Sequence, residues 1–369
     1  MEKEIITSKQ GIIIMTMFIL GSTLVMGTSS EAKQDVWLAS FAAMLLAVPI
    51  IFVYARLLSI FPGKNLYLIL EHLFGKVIGK LLALPFIWFS FHIGALVIRN
   101  FAEFIHIVSF PLTPQYIISF FIILLCIWAV KAGIEVIGRW TSIIFPIVVI
   151  AIIVVTLMLS PLYDFSNFKP VLYNGFQPII STAFSLVTFP FAETVIFTTV
   201  LNGLQNNKST YKVYYWSLLI GGSTILLVAV RSLLVLGAEN TEILYFASFS
   251  SVRLIDLGKF IQRIEISVTV VFLFAGFVKA SICLYAASCG LAKVFNLSSY
   301  RQVVSPVGLL MLLLSGIIYH STIEMFEWAE KIYKYYAVPF EIILPLIILI
   351  FAEIKIRTGN KKAICRQSS

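Results

Sequence analysis

Apolar residues come in long blocks along the chain, separated by short polar intervals. Ten blocks approach the roughly 20 residues that a helix needs to cross the hydrocarbon core of a bilayer. They cover residues 12–28, 37–61, 81–107, 115–130, 141–159, 181–201, 213–236, 264–295, 303–319 and 339–356. Several intervals have a pattern of their own. Between Lys64 and Lys80, Leu66, Leu68, Ile69, Leu73, Phe74 and Ile78 alternate with charge, which predicts an amphipathic helix lying in the inner interface. Residues 164–178, with Pro170, Asn174 and Gly175, read as an outer loop; residues 237–259 read as a short lid over the outer face, and residues 324–336 as a second interfacial helix.

Composition agrees with the pattern. The 369 residues are 60% hydrophobic and 12% charged, with a mean hydropathy of +0.98. Soluble domains are about half apolar and about a quarter charged. The pattern predicts an all-α, polytopic protein with one transmembrane domain over residues 1–369. The net charge of +9 is explained by basic residues collecting in cytoplasmic loops, without nucleic acid. An inside N-terminus puts seventeen Lys and Arg on the cytoplasmic side, including Arg56, Lys64, Lys76, Lys80, Lys208 and Arg301. It leaves seven outside, Lys33, Lys169, Arg253, Lys259, Arg263, Lys331 and Lys334, diluted by acids such as Glu31, Asp164, Glu242 and Asp256. Both termini are therefore expected in the cytoplasm, the basic tail 357–369 resting against anionic headgroups. Cys126, Cys283, Cys289 and Cys365 form no framework and read as free thiols. The first block has polar residues at its centre and no small-residue cleavage site after it, so it is expected to be a retained helix.

Two blocks are interrupted. The first contains Gly21-Ser22-Thr23 at its middle, and the sixth contains Phe189-Pro190-Phe191-Ala192-Glu193. Pro190 removes a backbone donor and clashes with the preceding turn. Glu193 is an ionisable group at mid-span, where such groups are costly and usually functional. Spans one and six hold matching places in a five-plus-five arrangement, with repeat one at about 10–160 and repeat two at about 176–356. Paired interruptions of this kind mark a midplane substrate site in inverted-repeat transporters. The competing reading is structural: small residues also form helix–helix contacts, and one proline kinks many membrane helices.

Other polar groups fall at depth. His92, Arg99, Glu103 and His106 share one face of the third span, with Arg99 and Glu103 four residues apart. The stripe faces a neighbouring helix or a wet cavity. Lys279 lies mid-way along the eighth span, level with Gly21 and Phe191, and Glu193 is its expected partner. Proton or ion-pair candidates are His92, Arg99, Glu103, Glu193 and Lys279. The sequence carries no phosphate loop, metal-ligand cluster or nucleophile elbow, so neither enzyme activity, nor a metal, nor a cofactor is expected.

Ile19-Leu20-Gly21-Ser22-Thr23, Arg99 with Ala102-Glu103, Gly133-Ile134-Glu135-Val136-Ile137-Gly138-Arg139, Lys169-Pro170-Val171-Leu172 with Gly175 and Gln177-Pro178, residues 189–193, and Gly290-Leu291-Ala292-Lys293-Val294-Phe295 follow in an order and spacing that resembles the endospore germination permeases. These are the GerB family, the B subunits of nutrient germinant receptors. The resemblance implies a LeuT-like fold of the amino acid–polyamine–organocation superfamily, with broken helices one and six. It implies an inner spore membrane location, A and C partner subunits, and recognition of a small nutrient, often an amino acid. Carried over by position, the ligand would meet Gly21, Ser22 and Thr23, then Phe89 and Ile93, then Thr188, Phe189, Pro190 and Phe191, and finally Lys279 and Ala280. Lys279 departs from the small or hydroxylated residue that the resemblance implies for sensors of alanine.

A break near Thr23 would expose backbone N–H groups suited to a carboxylate. Free carbonyls at Ile19, Leu20 and Phe189 would suit an ammonium group. Three functions follow: a receptor subunit whose broken helices shift on nutrient binding; an autonomous proton-coupled amino acid transporter using Glu193, Lys279 or His92; or a mainly structural subunit that anchors its partners, its pocket vestigial or conducting only water or ions.

Overall fold

The computed structural model describes residues 4–27, 30–204, 209–255 and 265–367, with side chains to Arg357. Lys3, Lys208, Asp256, Lys259 and Arg263, which the sequence assigned to one side or the other, lie outside the described residues. Almost everything described is helical. In chain order the helices are α1 (Ser8–Met26), α2 (Val36–Ile60), α3 (Leu66–Phe74), α4 (Lys76–Val108), α5 (Gln115–Ala132), α6 (Ile134–Met158), α7 (Gln177–Leu186), α8 (Phe197–Val200), α9 (Thr210–Ile243), α10 (Ala247–Val252), α11 (Glu265–Val294), α12 (Arg301–Ile317), α13 (Thr322–Glu327), α14 (Tyr333–Val338) and α15 (Leu344–Gln367). Among the described residues, eight helical segments are long and apolar enough to cross a membrane. Two shorter apolar helices, Ser8–Leu24 and Arg301–Ile317, stand where the first and ninth expected blocks lie.

The pattern of burial sorts these helices. A helix apolar all round belongs in the interior, and in α1 every described side chain from Ile13 to Leu24 is buried. It is enclosed by α9, α11 and α6. Thr7 and Gln10 start it with a reciprocal cap, Gln10 N–H donating to Thr7 Oγ1 at 3.2 Å and Thr7 N–H to Gln10 Oε1 at 2.9 Å. By contrast α6 turns Ile143, Ile147, Ile150, Ile153 and Leu157 outward. That apolar rim is what a lipid-facing helix presents.

The interfacial helix expected between Lys64 and Lys80 is α3. Asn65 caps it through its Oδ1, which accepts Leu68 N–H at 3.0 Å. Gly75, at φ 83°, turns the chain into α4. Gly79 lets α4 lie against the backbone of α3: a Cβ there would stand 2.6 Å from Glu71 Cα.

Two expectations need correction. The first span is not broken at Gly21-Ser22-Thr23. It runs as one helix to Met26 and stops at Gly27, whose N–H donates to Thr23 O at 2.9 Å. The interfacial helix expected over residues 324–336 is no separate element. It joins the last span through two wide, π-type turns, Trp328–Ile332 and Pro339–Ile343, so that one apolar helical segment covers Thr322–Arg357. Pro339 needs no backbone donor where it begins a turn, so it widens the helix without ending it. Of the lid expected over residues 237–259, residues 256–259 lie outside the described residues; the rest includes α10, which packs on the bundle through Phe246 and Phe249 against Phe104, at 5.1 and 5.6 Å between ring centroids.

Charged pairs gather at the two ends of the bundle. Glu4–Arg301, Arg56–Glu353 and Glu71–Lys293 join residues expected inside, and Lys33–Glu242 and Lys334–Glu31 join residues expected outside.

Replacing Gly79 with Val would drive a branched side chain into the main chain of α3. Overpacking of this kind costs about 1–3 kcal/mol. A lower midpoint of thermal unfolding in detergent is the expected result, and an unchanged midpoint would contradict the close approach of α3 and α4.

Candidate functional site

The sixth span is interrupted where the sequence predicts. α7 stops at Leu186 and gives way to a wide turn, Val187–Phe191, in which Phe189 is extended (φ −129°, ψ 104°). Tight turns over Ala192–Ile196 follow before α8. An interruption inside a membrane protein leaves carbonyls that no water can satisfy, so side chains must serve them. Thr194 Oγ1 donates to Phe191 O at 2.6 Å, and Thr198 Oγ1 to Val195 O at 2.6 Å. Tyr214 on α9 donates to Thr194 O at 3.3 Å. Tyr54 on α2 lies 3.1 Å from Ala192 O and 2.6 Å from Glu341 O. It has one O–H to donate, so a single hydroxyl stands between the interrupted sixth span and the second wide turn of the last span.

The interruption carries Glu193 into the core, where it is 1% exposed. Its Oε2 accepts from Lys279 Nζ at 2.5 Å, and its Oε1 accepts from the Tyr333 hydroxyl at 2.5 Å. Lys279, wholly buried, also faces the rings of Phe18 at 5.0 Å and Phe189 at 4.8 Å. The ammonium is thus held by one carboxylate and two aromatic faces. Gly21 makes room for the lysine stem: a Cβ at position 21 would come 2.8 Å from Lys279 Cδ and 3.3 Å from Ala275 O. The triplet read from sequence as a break or a contact is therefore a contact.

Beside the pair lies a cavity of about 30 Å³, bordered by Ser22, Ile93, Asn100, Phe189, Glu193, Tyr319, Trp328 and Tyr333 among others. At about 10–15 Å³ per water centre it has room for two or three waters. Ser22 Oγ is buried there with no hydrogen-bond partner among the described residues. Met26 separates this cavity from a larger one of about 250 Å³, whose walls include Thr23, Val228, Ser248 and Lys331 and over which Lys33 and Glu242 pair at 3.0 Å.

The residues singled out from sequence divide accordingly. Ser22, Ile93, Phe189 and Glu193 border the smaller cavity. Thr23 borders the larger one and bonds back to Ile19 O at 3.2 Å, so the Ile19 carbonyl expected to be free is occupied. Gly21 packs against the stem of Lys279, and Ala280 is buried. Thr188 Oγ1 is taken by Ser185 O at 3.0 Å, and Pro190 and Phe191 are buried outside the cavity lining. Phe89 stacks on Phe340 at 5.0 Å. His92 sits among Trp88, Trp328 and Tyr336, with ring centroids at 5.5, 5.6 and 5.1 Å. Arg99 and Glu103 pair at 3.2 Å away from the cavity, where Gln115 and Thr322 also donate to Glu103 at 2.7 and 2.5 Å. His106 bonds its ring Nδ1 with Thr113 O at 3.0 Å, closing the turn after α4.

Sequence reasoning missed Tyr54, Asn100, Trp328, Tyr333 and the wholly buried Glu341. Only Glu341 carried a signal, as an acid near the start of an apolar span. The others are ordinary amphipathic side chains whose roles depend on the two wide turns.

The arrangement is that of a membrane protein with a small, partly polar chamber at an interrupted helix. Its fold is LeuT-like. It is similar to the transporter MhsT in complex with L-phenylalanine, with a TM-score of 0.66 at 13% identity, covering 92% of this chain and 97% of that one. It is similar to the same degree to Mhp1, a nucleobase-cation-symport-1 family transporter in a closed conformation with bromovinylhydantoin bound, with TM-score 0.66 and coverage of 93% and 78%. Residues 5–323 match the family described as spore germination protein, and the chain belongs to this family of spore germination permeases. It is 27% identical to spore germination protein KB of Bacillus subtilis over 365 residues, covering 98% of each chain. It is 24% identical to spore germination protein YndE of the same organism, over 79% of this chain and 82% of that one.

Lys279→Met would leave Glu193 buried without its cation, a loss of about 3–5 kcal/mol. Thermal unfolding of the purified protein should show a large drop in midpoint, mostly recovered when Glu193→Gln is added. A single variant as stable as the parent would mean that the pair contributes nothing.

Proposed function

We propose that the chain is the membrane-embedded subunit of a nutrient germinant receptor, and that a small nutrient, most simply an amino acid, binds in the chamber beside Glu193. The observation that carries this reading is the placement of the unpartnered Ser22 hydroxyl, Asn100 and Glu193 around one cavity, with Trp328, Tyr333 and Phe189 as its aromatic walls. Ser22 and Asn100 offer donors to a carboxylate. Glu193 and the ring faces offer a cradle to an ammonium group. These replace the free helix ends expected from sequence, since α1 is continuous.

The chamber is smaller than any amino acid. On this reading the described state is the resting one, and ligand binding requires a second state in which Met26 and Trp328 give way. A nutrient acts by favouring that state. The A and C subunits read the change, in the inner membrane of the spore with both termini in the cytoplasm. The two halves, about 10–160 and 176–356, would act as the inverted repeats.

A second reading is an autonomous proton-coupled amino acid transporter, favoured by the likeness in fold to MhsT and Mhp1. Reconstitution without partner subunits separates the two. Nutrient binding without uptake under a pH gradient supports the receptor, and concentrative uptake supports the transporter.

Ser22→Val fills the chamber from α1 and leaves Lys279 and Gly21 untouched. Loss of one hydrogen bond and of space should raise the nutrient concentration for half-maximal germination by about tenfold or more, about 1.4 kcal/mol. The measurement is the fall in optical density of spores against nutrient dose, with accumulation of the subunit checked in spore membranes. A parental dose response would remove Ser22 from the ligand site.

A further inference from the structure

Glu341 is wholly buried, on the wide turn Pro339–Ile343 of the last span. Neither of its carboxyl oxygens accepts a hydrogen bond among the described residues. The groups facing it are known. Glu193 comes from the interrupted sixth span, Lys279 from α11, and Tyr333 and Tyr336 from the last span itself. Tyr54 faces it from α2, with Tyr214 of α9 behind, the two rings 6.0 Å apart. Of the donors around it, Lys279, Tyr333 and Tyr54 are engaged elsewhere, and the Tyr336 hydroxyl is itself buried without a partner among the described residues. Lys279 and Tyr333 donate to Glu193, and the Tyr54 hydroxyl is 2.6 Å from the main-chain oxygen of Glu341, away from its carboxyl.

Two carboxyl groups therefore share one ammonium, and Glu193 holds it. A second bare carboxylate in that place would be both desolvated and repelled by Glu193. We propose that Glu341 is a proton-binding site, occupied in the closed state and exchanging with bulk water when the packing opens. An alkali cation fits less well. It would need several oxygen ligands beside an ammonium.

The proton sets the charge that the chamber presents. With Glu341 neutral, Lys279 neutralises Glu193. With Glu341 ionised, Lys279 is drawn between two carboxylates, and Glu193 turns a larger share of its charge toward the cavity that it borders. Proton release at Glu341 is thus coupled to affinity for a cationic group in the chamber. The proton site stands whether or not that chamber takes a nutrient.

Infrared spectroscopy of the purified full-length protein in heavy water resolves the carbonyl stretch of protonated carboxyl groups. The wild type should show such a band at neutral pH, Glu341→Gln should lose it, and Glu103→Gln should keep it. A band that survives in Glu341→Gln, or a wild type without one, overturns the proposal. Should Glu341→Gln fail to fold, Glu341→Asp keeps the acid and must shift the band; an unshifted band has the same overturning force. Sodium or potassium in place of choline at constant pH should leave the wild-type band unchanged. Its loss on adding either ion would assign the site to a metal cation instead.

Discussion

The ion pair between Glu193 and Lys279 dictates much of what surrounds it. An isolated charge of either sign would be too costly in so dry a place, so each residue requires the other. Their meeting makes three demands on the backbone. The sixth span must unwind to bring Glu193 round, α1 must lack a side chain at Gly21, and the last span must widen so that Tyr333 can reach the free oxygen of Glu193. The hydroxyls of Thr194, Thr198, Tyr54 and Tyr214 then serve carbonyls in or beside the unwound stretch. Polar satisfaction around the interruption is local, but Ser22, Ser281, Tyr336 and Glu341 each keep a buried polar atom without a partner among the described residues.

Ser22 borders a chamber with room for two or three waters, while Glu341 is closed in by tyrosines. A buried polar atom without a partner is rare enough to need a reason. On the reading proposed above, a ligand would supply one for Ser22 and a proton one for Glu341.

Much of this was legible in the chain. The helices stand where apolar blocks of sufficient length predict them, because length and hydropathy are what a bilayer selects. The interruption at Pro190 was legible because proline leaves a chemical mark, and Lys279 and Glu193 because charge at mid-span is conspicuous. The continuity of α1 was not. Gly, Ser and Thr permit a break and permit a close contact equally, and only the position of the Lys279 stem decides between them. The wide turns of the last span were illegible for a related reason. A π-type turn has no composition of its own, so Tyr333 and Glu341 could not be placed facing Glu193 by counting residues at 3.6 per turn.

Gly21 has one further consequence, for how such a chain can change over time. Its lack of a side chain is a concession to the lysine lying across it, and that lysine is tolerable only beside Glu193. Positions 21, 193 and 279 thus form a single unit of inheritance. A lineage that trades the lysine for a small residue frees position 21 from glycine and strands the acid at 193. Substitutions at the three positions should therefore arrive together, and a chamber with a different charge would appear in one step instead of by gradual drift.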